Sequence, residues 1–339
     1  MDWSFTEEQE QIAALTRQIL ERELTEERMR SAWPFDEKLY RTLSDAGVLD
    51  PSLGLIELCR VLVEIGRAVA PVPAVPAVIA RKAGAVGSIP TLALVEDLNP
   101  DLEAPTTRAA RDGDSFVLTG TKTTVPVGGI ADVLVVSAVL EDGTPALFAV
   151  PRDAQGVELR EQVVTNNDRE AILDLNDVKV PADHHLGGAD AVKRVIDRFT
   201  VALCAVQLGV CERALELTAE YAKTRVQFDR PIATFQAVGQ RLADAFIDVE
   251  GIRLTVWQAA WRLEEGLPAD TEIATAKFWA ADGGHRVAHT AVHVHGGVGI
   301  DLDYPLHRYF VAAKRLEFML GNASEQLRNI GKTLATEPA

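Results

Sequence analysis

Apolar residues recur at helical spacing toward both ends of the chain and at strand spacing in the middle. Near the start, Thr6 and Gln9 form a capping-box pattern, and Ile12, Leu15 and Ile19 follow at one-turn intervals, which predicts an amphipathic helix. A second apolar run, Leu55 to Val69, predicts a buried helix. It should stop at Ala70-Pro71-Val72-Pro73, because proline lacks a donor and blocks continuation. From about Ile89 the period changes. Ser115 to Gly120, Ala131 to Val136 and Ala146 to Val150 are short, rich in β-branched or aromatic residues, and bounded by Gly, Asp or Pro. They are predicted strands, and Ala171 to Val180 closes the series at Pro181. From Ala191 the helical pattern returns, with Leu242, Phe246, Val249, Ile252, Val256 and Leu263 on one long apolar face. Helices, then strands, then helices predict an α+β multidomain chain: an N-terminal helical domain (1–88), a middle β-domain (89–186) and a C-terminal helical-bundle domain (187–339).

Composition narrows the functional classes. With 339 residues, 47% hydrophobic and 25% charged, the chain suits a globular protein of two or three folding units. A net charge of −16 and the lack of a Lys/Arg-rich tract argue against nucleic acid and anionic membranes as partners. A phosphate ligand stays compatible, since it needs only a local basic pocket. The opening Met1-Asp2-Trp3-Ser4-Phe5-Thr6 has no signal-peptide pattern, and no apolar run is long enough to span a bilayer. A cytoplasmic location is therefore expected. The three cysteines, Cys59, Cys204 and Cys211, form no Cys-x-x-Cys motif and suit a reducing compartment, with the last two expected to pack inside a helix.

Four histidines raise a metal-binding or scaffolding alternative. His285, His289 and His293 are four apart and His295 follows, which puts imidazoles on one helical face. No acid or cysteine accompanies them at metal-like spacing. Packed or hydrogen-bonded histidines are the expectation, and no metal.

The segment Tyr221-Ala-Lys-Thr-Arg225-Val-Gln227-Phe228-Asp-Arg230-Pro231-Ile232, continuing to Phe235-Gln236-Ala237, resembles the C-terminal helical signature of acyl-CoA dehydrogenases. Three further segments resemble the same family in the same order. They are Gly120-Thr-Lys122 with Gly129-Ile-Ala131-Asp132, then Asp177 to Pro181, then His293-Val-His-Gly296-Gly297-Val-Gly299 followed by Tyr304-Pro305 and Arg308-Tyr309. The resemblance implies the acyl-CoA dehydrogenase fold, with a C-terminal four-helix bundle that makes oligomer contacts. It implies FAD as cofactor, reaching across a subunit interface. Arg225, Gln227, Phe228, Gln236, His293, Gly296 and Gly297 are the implied cofactor-binding residues. An arginine offers a fixed fork of donors to phosphate oxygens, and paired glycines let a backbone approach a ligand closely. Asp197 matches an acidic position that meets the coenzyme of the substrate.

The resemblance breaks where chemistry occurs. The family removes an α-proton from an acyl thioester with a glutamate, while flavin takes a hydride from the β-carbon. In Phe318-Met319-Leu320-Gly321-Asn322, Leu320 stands at the usual glutamate position, and Phe199 stands at the alternative one. Neither side chain accepts a proton, so no catalytic residue is assigned. Thr124-Val125-Pro126 replaces the Trp-Ile-Thr-like run that meets the flavin ring, and Val95 to Pro100 only faintly matches a Thr-Glu-Pro loop. The loop expected between Ala46-Gly47-Val48-Leu49 and Ser52-Leu53-Gly54-Leu55 is shortened away.

Groups that act within one subunit's own site are degraded, whereas those donated across the interface remain. The pattern resembles the shorter, base-lacking subunit of actinobacterial heterotetrameric steroid side-chain acyl-CoA dehydrogenases. The implied partners are a catalytic subunit in a two-plus-two heterotetramer, an acyl-CoA substrate, and electron-transfer flavoprotein as acceptor. The alternative is a self-sufficient dehydrogenase in which Glu317 or Glu325 is a relocated base.

Overall fold

The structure, a computed structural model, describes residues 4–32 and 34–336. Helices come first: α1 (Glu7–Glu23), α2 (Glu26–Ala32), α3 (Glu37–Asp45), α4 (Leu55–Ala68) and α5 (Ala74–Lys82). The expected capping box opens α1, with Gln9 N donating to Thr6 Oγ1 at 3.2 Å and Thr6 N donating to Gln9 Oε1 at 3.0 Å. Each bond satisfies a terminal amide that the helix itself leaves open. Helix α4 ends as expected just before the prolines, with Val69 capping it at φ 44°. A left-handed β-branched residue is strained, so the turn is held by the packing around it.

The middle of the chain forms one eight-stranded sheet. Its members are β1 (Pro90–Ala93), β2 (Arg108–Asp112), β3 (Ser115–Val125), β4 (Val133–Leu140), β5 (Pro145–Pro151), β6 (Val157–Val163), β7 (Arg169–Pro181) and β8 (His185–Gly187). The order is β6-β7-β3-β2-β4-β5-β8, and β1 pairs parallel with β4. The four strands predicted from alternation are β3, β4, β5 and β7. The sequence analysis did not anticipate β2 (Arg-Ala-Ala-Arg-Asp), whose side chains mostly face solvent, or β6 (Val-Glu-Leu-Arg-Glu-Gln-Val), whose charged and amide residues outnumber Val157 and Leu159, which pack on the core. The inner faces bury Leu118, Leu134, Val136, Phe148, Leu173 and Val178 in one core.

Inside that core lies an ion pair. Lys122 is 0% exposed and its Nζ donates to Glu96 Oε1 at 2.7 Å and to Ser137 Oγ at 3.0 Å. Glu96 also accepts from the backbone and hydroxyl groups of Thr106 (2.6 and 2.6 Å) and of Thr107 (2.8 and 2.7 Å). Burial by itself would raise the Glu96 carboxyl. The Lys122 ammonium and the threonine donors outweigh it and hold the group well below the usual range.

The last part is helical: α6 (Ala189–Thr224), α7 (Gln236–Glu264), α8 (Asp270–His295), α9 (Leu306–Phe318) and α10 (Ala323–Thr336). Helices α4 and α6 meet almost backbone to backbone. A Cβ on Gly66 would lie 2.2 Å from Val206 O, and one on Gly209 would lie 2.0 Å from Val63 O, so both positions require glycine. The apolar face predicted for α7 is buried at Val249, Ile252 and Val256, but Phe246 is 56% exposed. The opening turns of α7 are largely surface, from Gln236 through Asp244, so the apolar spacing there is not answered by packing within the chain.

The chain divides into two compact units. One contains α1, α2, Gly54–Ala70 and the chain from Thr200 onward; the other contains α3 and Pro71–Phe199. Among the described residues no helix is long and apolar enough to cross a membrane.

Candidate cofactor-binding site

The residues singled out around Arg225 converge through local geometry at the end of α6. The helix closes at Thr224, and a two-residue hairpin follows, β9 (Val226–Gln227) paired with β10 (Arg230–Pro231). Its loop, Phe228–Asp229, has φ of 52° and 64°. Two consecutive left-handed residues are what a type I′ turn requires. The turn holds the Phe228 ring 87% exposed, with an edge-on contact to Phe235 at 6.1 Å. Gln236 is exposed in the first turn of α7.

The second half of the site is the end of α8. Gly296 caps it at φ 62° and ψ −141°, a conformation essentially restricted to glycine, and its N–H bonds to Val292 O. A 3-10 turn, Gly296–Ile300, follows. A Cβ on Gly297 would meet no atom within 4 Å, so the backbone there borders open space. The two halves enclose a cavity of about 630 Å³ whose lining includes Arg225, Gln227, His293, Gly296, Gly297 and Asp301. That volume falls within the range of small-molecule sites.

Five of the seven cofactor-binding residues expected from the sequence therefore line one cavity, and Phe228 sits at the tip of the adjoining hairpin. Among the described residues no carboxylate pairs with the Arg225 guanidinium, whereas Arg17, Arg67, Arg253 and Arg286 are all paired. Asp301 also lines the cavity, and Arg225 is the cation that an anionic group of a ligand would meet there. A guanidinium fork, an amide, an imidazole and a bare glycine backbone fit the diphosphate and polar groups of a dinucleotide.

The composition of the wall also yields residues that motif reading passed over. The Tyr221 ring lies flat on His295, with centroids 4.2 Å apart and planes at 24°, and His295 Nε2 lies 3.2 Å from Tyr304 Oη. His295 drew notice as one of four histidines and inside the His293–Gly299 segment, with no role of its own. Nothing in the spacing distinguishes a buried imidazole from the exposed His293.

Within the helical unit, Leu320, Glu317 and Glu325 are not among the residues that line this cavity. Leu320 follows α9 at φ 54°, and its carbonyl accepts from Gln326 Nε2 at 3.3 Å. Asn322 and Glu325 cap α10 reciprocally, at 2.7 and 3.2 Å. Glu317 accepts from Lys314 at 2.5 Å and lies 3.2 Å from His285 Nδ1. The His285 ring meets His289 at 4.3 Å with the planes tilted by 35°, and among the described residues no set of three His, Cys, Asp or Glu is gathered to hold a metal. In the other unit, Phe199 is 2% exposed and Asp197 pairs with Lys193 at 3.1 Å.

Glycine substitutions separate shape from space in this turn. Gly296→Ala should cost about 1–3 kcal/mol, the strain of a side chain in a glycine-only conformation. Gly297→Ala should stay within about 0.5 kcal/mol of the parent, because its methyl meets only open space. Thermal unfolding of both variants checks the difference.

Similarity to known proteins identifies the family. The family described as "Acyl-CoA dehydrogenase, C-terminal domain" matches residues 187–335, and "Acyl-CoA dehydrogenase, middle domain" matches residues 97–172. The chain is 42% identical to acyl-CoA dehydrogenase FadE27 of Mycobacterium tuberculosis, covering 100% of both proteins. Among solved structures it is similar to a chain of the ChsE4–ChsE5 complex from Mycobacterium tuberculosis, with 43% identity, 100% coverage of both chains and a TM-score of 0.94. It is also similar to a chain of a variant of the Tcur3481–Tcur3483 steroid ACAD, with 39% identity, a TM-score of 0.91 and coverage of 97% of this chain and 98% of that one. Butyryl-CoA dehydrogenase of Megasphaera elsdenii shares the fold at 25% identity and a TM-score of 0.87, over 99% of this chain and 100% of that one. The fold is that of the acyl-CoA dehydrogenases, with their middle β-domain and C-terminal helical domain, and the chain belongs to the acyl-CoA dehydrogenase family.

Proposed function

We propose that this chain is the base-lacking subunit of a heterotetrameric, FAD-dependent acyl-CoA dehydrogenase, two copies beside two of a catalytic partner. The observation that carries the proposal is Arg225, without a carboxylate partner among the described residues, beside the Gly296–Gly297 turn, in a chain whose base positions hold Leu320 and Phe199. The resemblance to chains of two unlike-subunit complexes, one called a steroid ACAD, supports the pairing and suggests a steroid side-chain CoA thioester as substrate. In this reading the three-part division 1–88, 89–186 and 187–339 is also the functional one. Electron-transfer flavoprotein is the acceptor, and the complex works in the cytoplasm.

Bound FAD supplies the hydride acceptor for the substrate's β-carbon. This chain's residues bind and orient. Arg225 takes the pyrophosphate oxygens, Gln227, Gln236 and His293 offer hydrogen bonds, and Phe228 packs on the cofactor. Gly296 and Gly297 let the cofactor approach the backbone, while Asp197 meets the coenzyme. The α-proton goes to a carboxylate of the partner. The structure offers little support for a relocated base, since Glu317 is held by Lys314 and His285, and Glu325 caps a helix.

Co-expression with the partner should yield a yellow complex with one flavin per unlike pair, while this chain alone should be flavin-free or poorly soluble. Leu320→Ala should leave the chemical step nearly unchanged. A stable yellow homo-oligomer of this chain with dehydrogenase activity, or loss of turnover in Glu317→Gln or Glu325→Gln, would replace this reading with the self-sufficient one.

A further inference from the structure

We infer that His295 is a positioning residue that holds the Gly296–Gly297 turn in its ligand-receiving shape, and that it does so as a neutral imidazole of one fixed tautomer. The link to cofactor binding rests on the proposed reading of the cavity; the hold on the turn does not. His295 is the last residue of α8 and only 4% exposed. Its Nδ1 lies 2.8 Å from Ala291 O. A carbonyl only accepts, so Nδ1 carries a proton, and in the neutral ring Nε2 then keeps its lone pair. That lone pair accepts from the Tyr304 hydroxyl at 3.2 Å. The ring face meets Tyr221 of α6 at 4.2 Å.

One side chain thus ties together α6, the end of α8 and the turn before α9. The backbone that follows wraps around it. Gly296 turns at φ 62°, and a Cβ on Gly299 would stand 3.1 Å from His295 Cβ. A residue that merely filled this space would be replaceable by phenylalanine, which keeps the flat stack on Tyr221. A residue that positions the turn would not, because phenylalanine has neither the Nδ1 donor nor the Nε2 acceptor.

The neutral state gives a readout that packing alone would not move. Burial pushes His295 below its ordinary value, with the bond to Ala291 opposing in part. The released imidazole takes a proton at the ordinary histidine value of about 6.5, whereas the seated one resists. The hold on the turn is therefore complete above that pH and weakens as pH falls through and below it. The titratable groups around the ring are Tyr221 of α6 and Tyr304 before α9, with Glu220 acting on Tyr304. Arg225, His293 and Asp301 share the adjoining cavity.

Hydrogen–deuterium exchange of the Gly296–Ile300 amides, corrected for intrinsic exchange, tests the positioning role on the full chain, alone or in its complex. The wild type should be protected at pH 7.5 and lose protection between about pH 6.5 and 5.5. His295→Phe and Tyr304→Phe should lose protection about three- to tenfold at pH 7.5, the weight of one neutral hydrogen bond. In His295→Phe the pH step should vanish. Wild-type protection in His295→Phe at every pH overturns the inference, as does a pH step that persists in it and so belongs to another group. FAD affinity of the complex, measured alongside, should fall by a similar factor. Lost protection with unchanged FAD affinity upholds the positioning role and removes FAD from this cavity.

Discussion

Glu96→Ala should destabilise the sheet-bearing unit by about 3–5 kcal/mol, the cost of leaving a buried charge without its partner. Lys122 is 0% exposed, so water cannot replace the lost carboxylate without opening the core. The substitution also strands two backbone amides and two hydroxyls, of Thr106 and Thr107, that now end on Glu96. Replacing the pair together, Glu96→Leu with Lys122→Met, should cost less than Glu96→Leu alone, because both strand the threonine donors but only the single change leaves a charge behind. Urea unfolding of the three variants measures the coupling directly. The same pair dictates a pH dependence. Because the folded Glu96 carboxyl sits well below its ordinary value of 4.5, its contribution is whole above that pH. It should drain away as pH falls further, with the unfolded chain taking up the proton first. Equal costs for single and double variants, or stability flat into acid, would show that the pair is not coupled.

Arg225→Ala should weaken FAD binding to the assembled complex by roughly ten- to a hundredfold. Hydrogen bonds to a charged group contribute about 1.5–3 kcal/mol each, and 1.4 kcal/mol is a factor of ten. The guanidinium has no carboxylate partner among the described residues, so its removal breaks no internal ion pair and should leave folding intact. Arg225→Lys should recover only part of the loss, since an ammonium keeps the charge without the planar fork. Activity should return when FAD is added in excess. A complex that keeps its full flavin affinity after Arg225→Ala would reduce this residue to a surface cation.

The sequence was most informative where one local rule acted alone. The Thr6–Gln9 box and the proline stop after α4 rest on backbone donors that no tertiary contact overrides. The strands β3, β4, β5 and β7 announced themselves because one face of each is apolar. Strand β6 did not, since at the sheet edge its Glu158, Arg160 and Glu161 face water and its Val157 and Leu159 are only partly buried against the core. Phe246 misled for the opposite reason: apolar spacing reports a face to be covered, not which chain covers it. The cavity was legible as a set of residues, because Arg225, Gln227, His293, Gly296 and Gly297 lie in two short motifs. The aromatic support beneath it was not, because Tyr221, His295 and Tyr304 meet only after α6, α8 and the turn before α9 have packed. Glu96 was likewise noticed only as a faint loop match, since its Lys122 partner is 26 residues away.

The placement of the cysteines has a practical consequence. Cys59, Cys204 and Cys211 are all buried, and all three belong to the unit built from α1, α2, α4 and the chain beyond Thr200. Burial also pushes the Cys204 thiol up to about 12 and Cys211 higher still, so at neutral pH neither presents a thiolate to an oxidant or an alkylating reagent. The sheet-bearing unit contains no cysteine at all. Maleimide labelling therefore clocks the opening of the helical unit and is blind to the melting of the other. The native chain thus carries three thiol reporters confined to one half, with which the order of unfolding of its two units can be timed without introducing a single substitution.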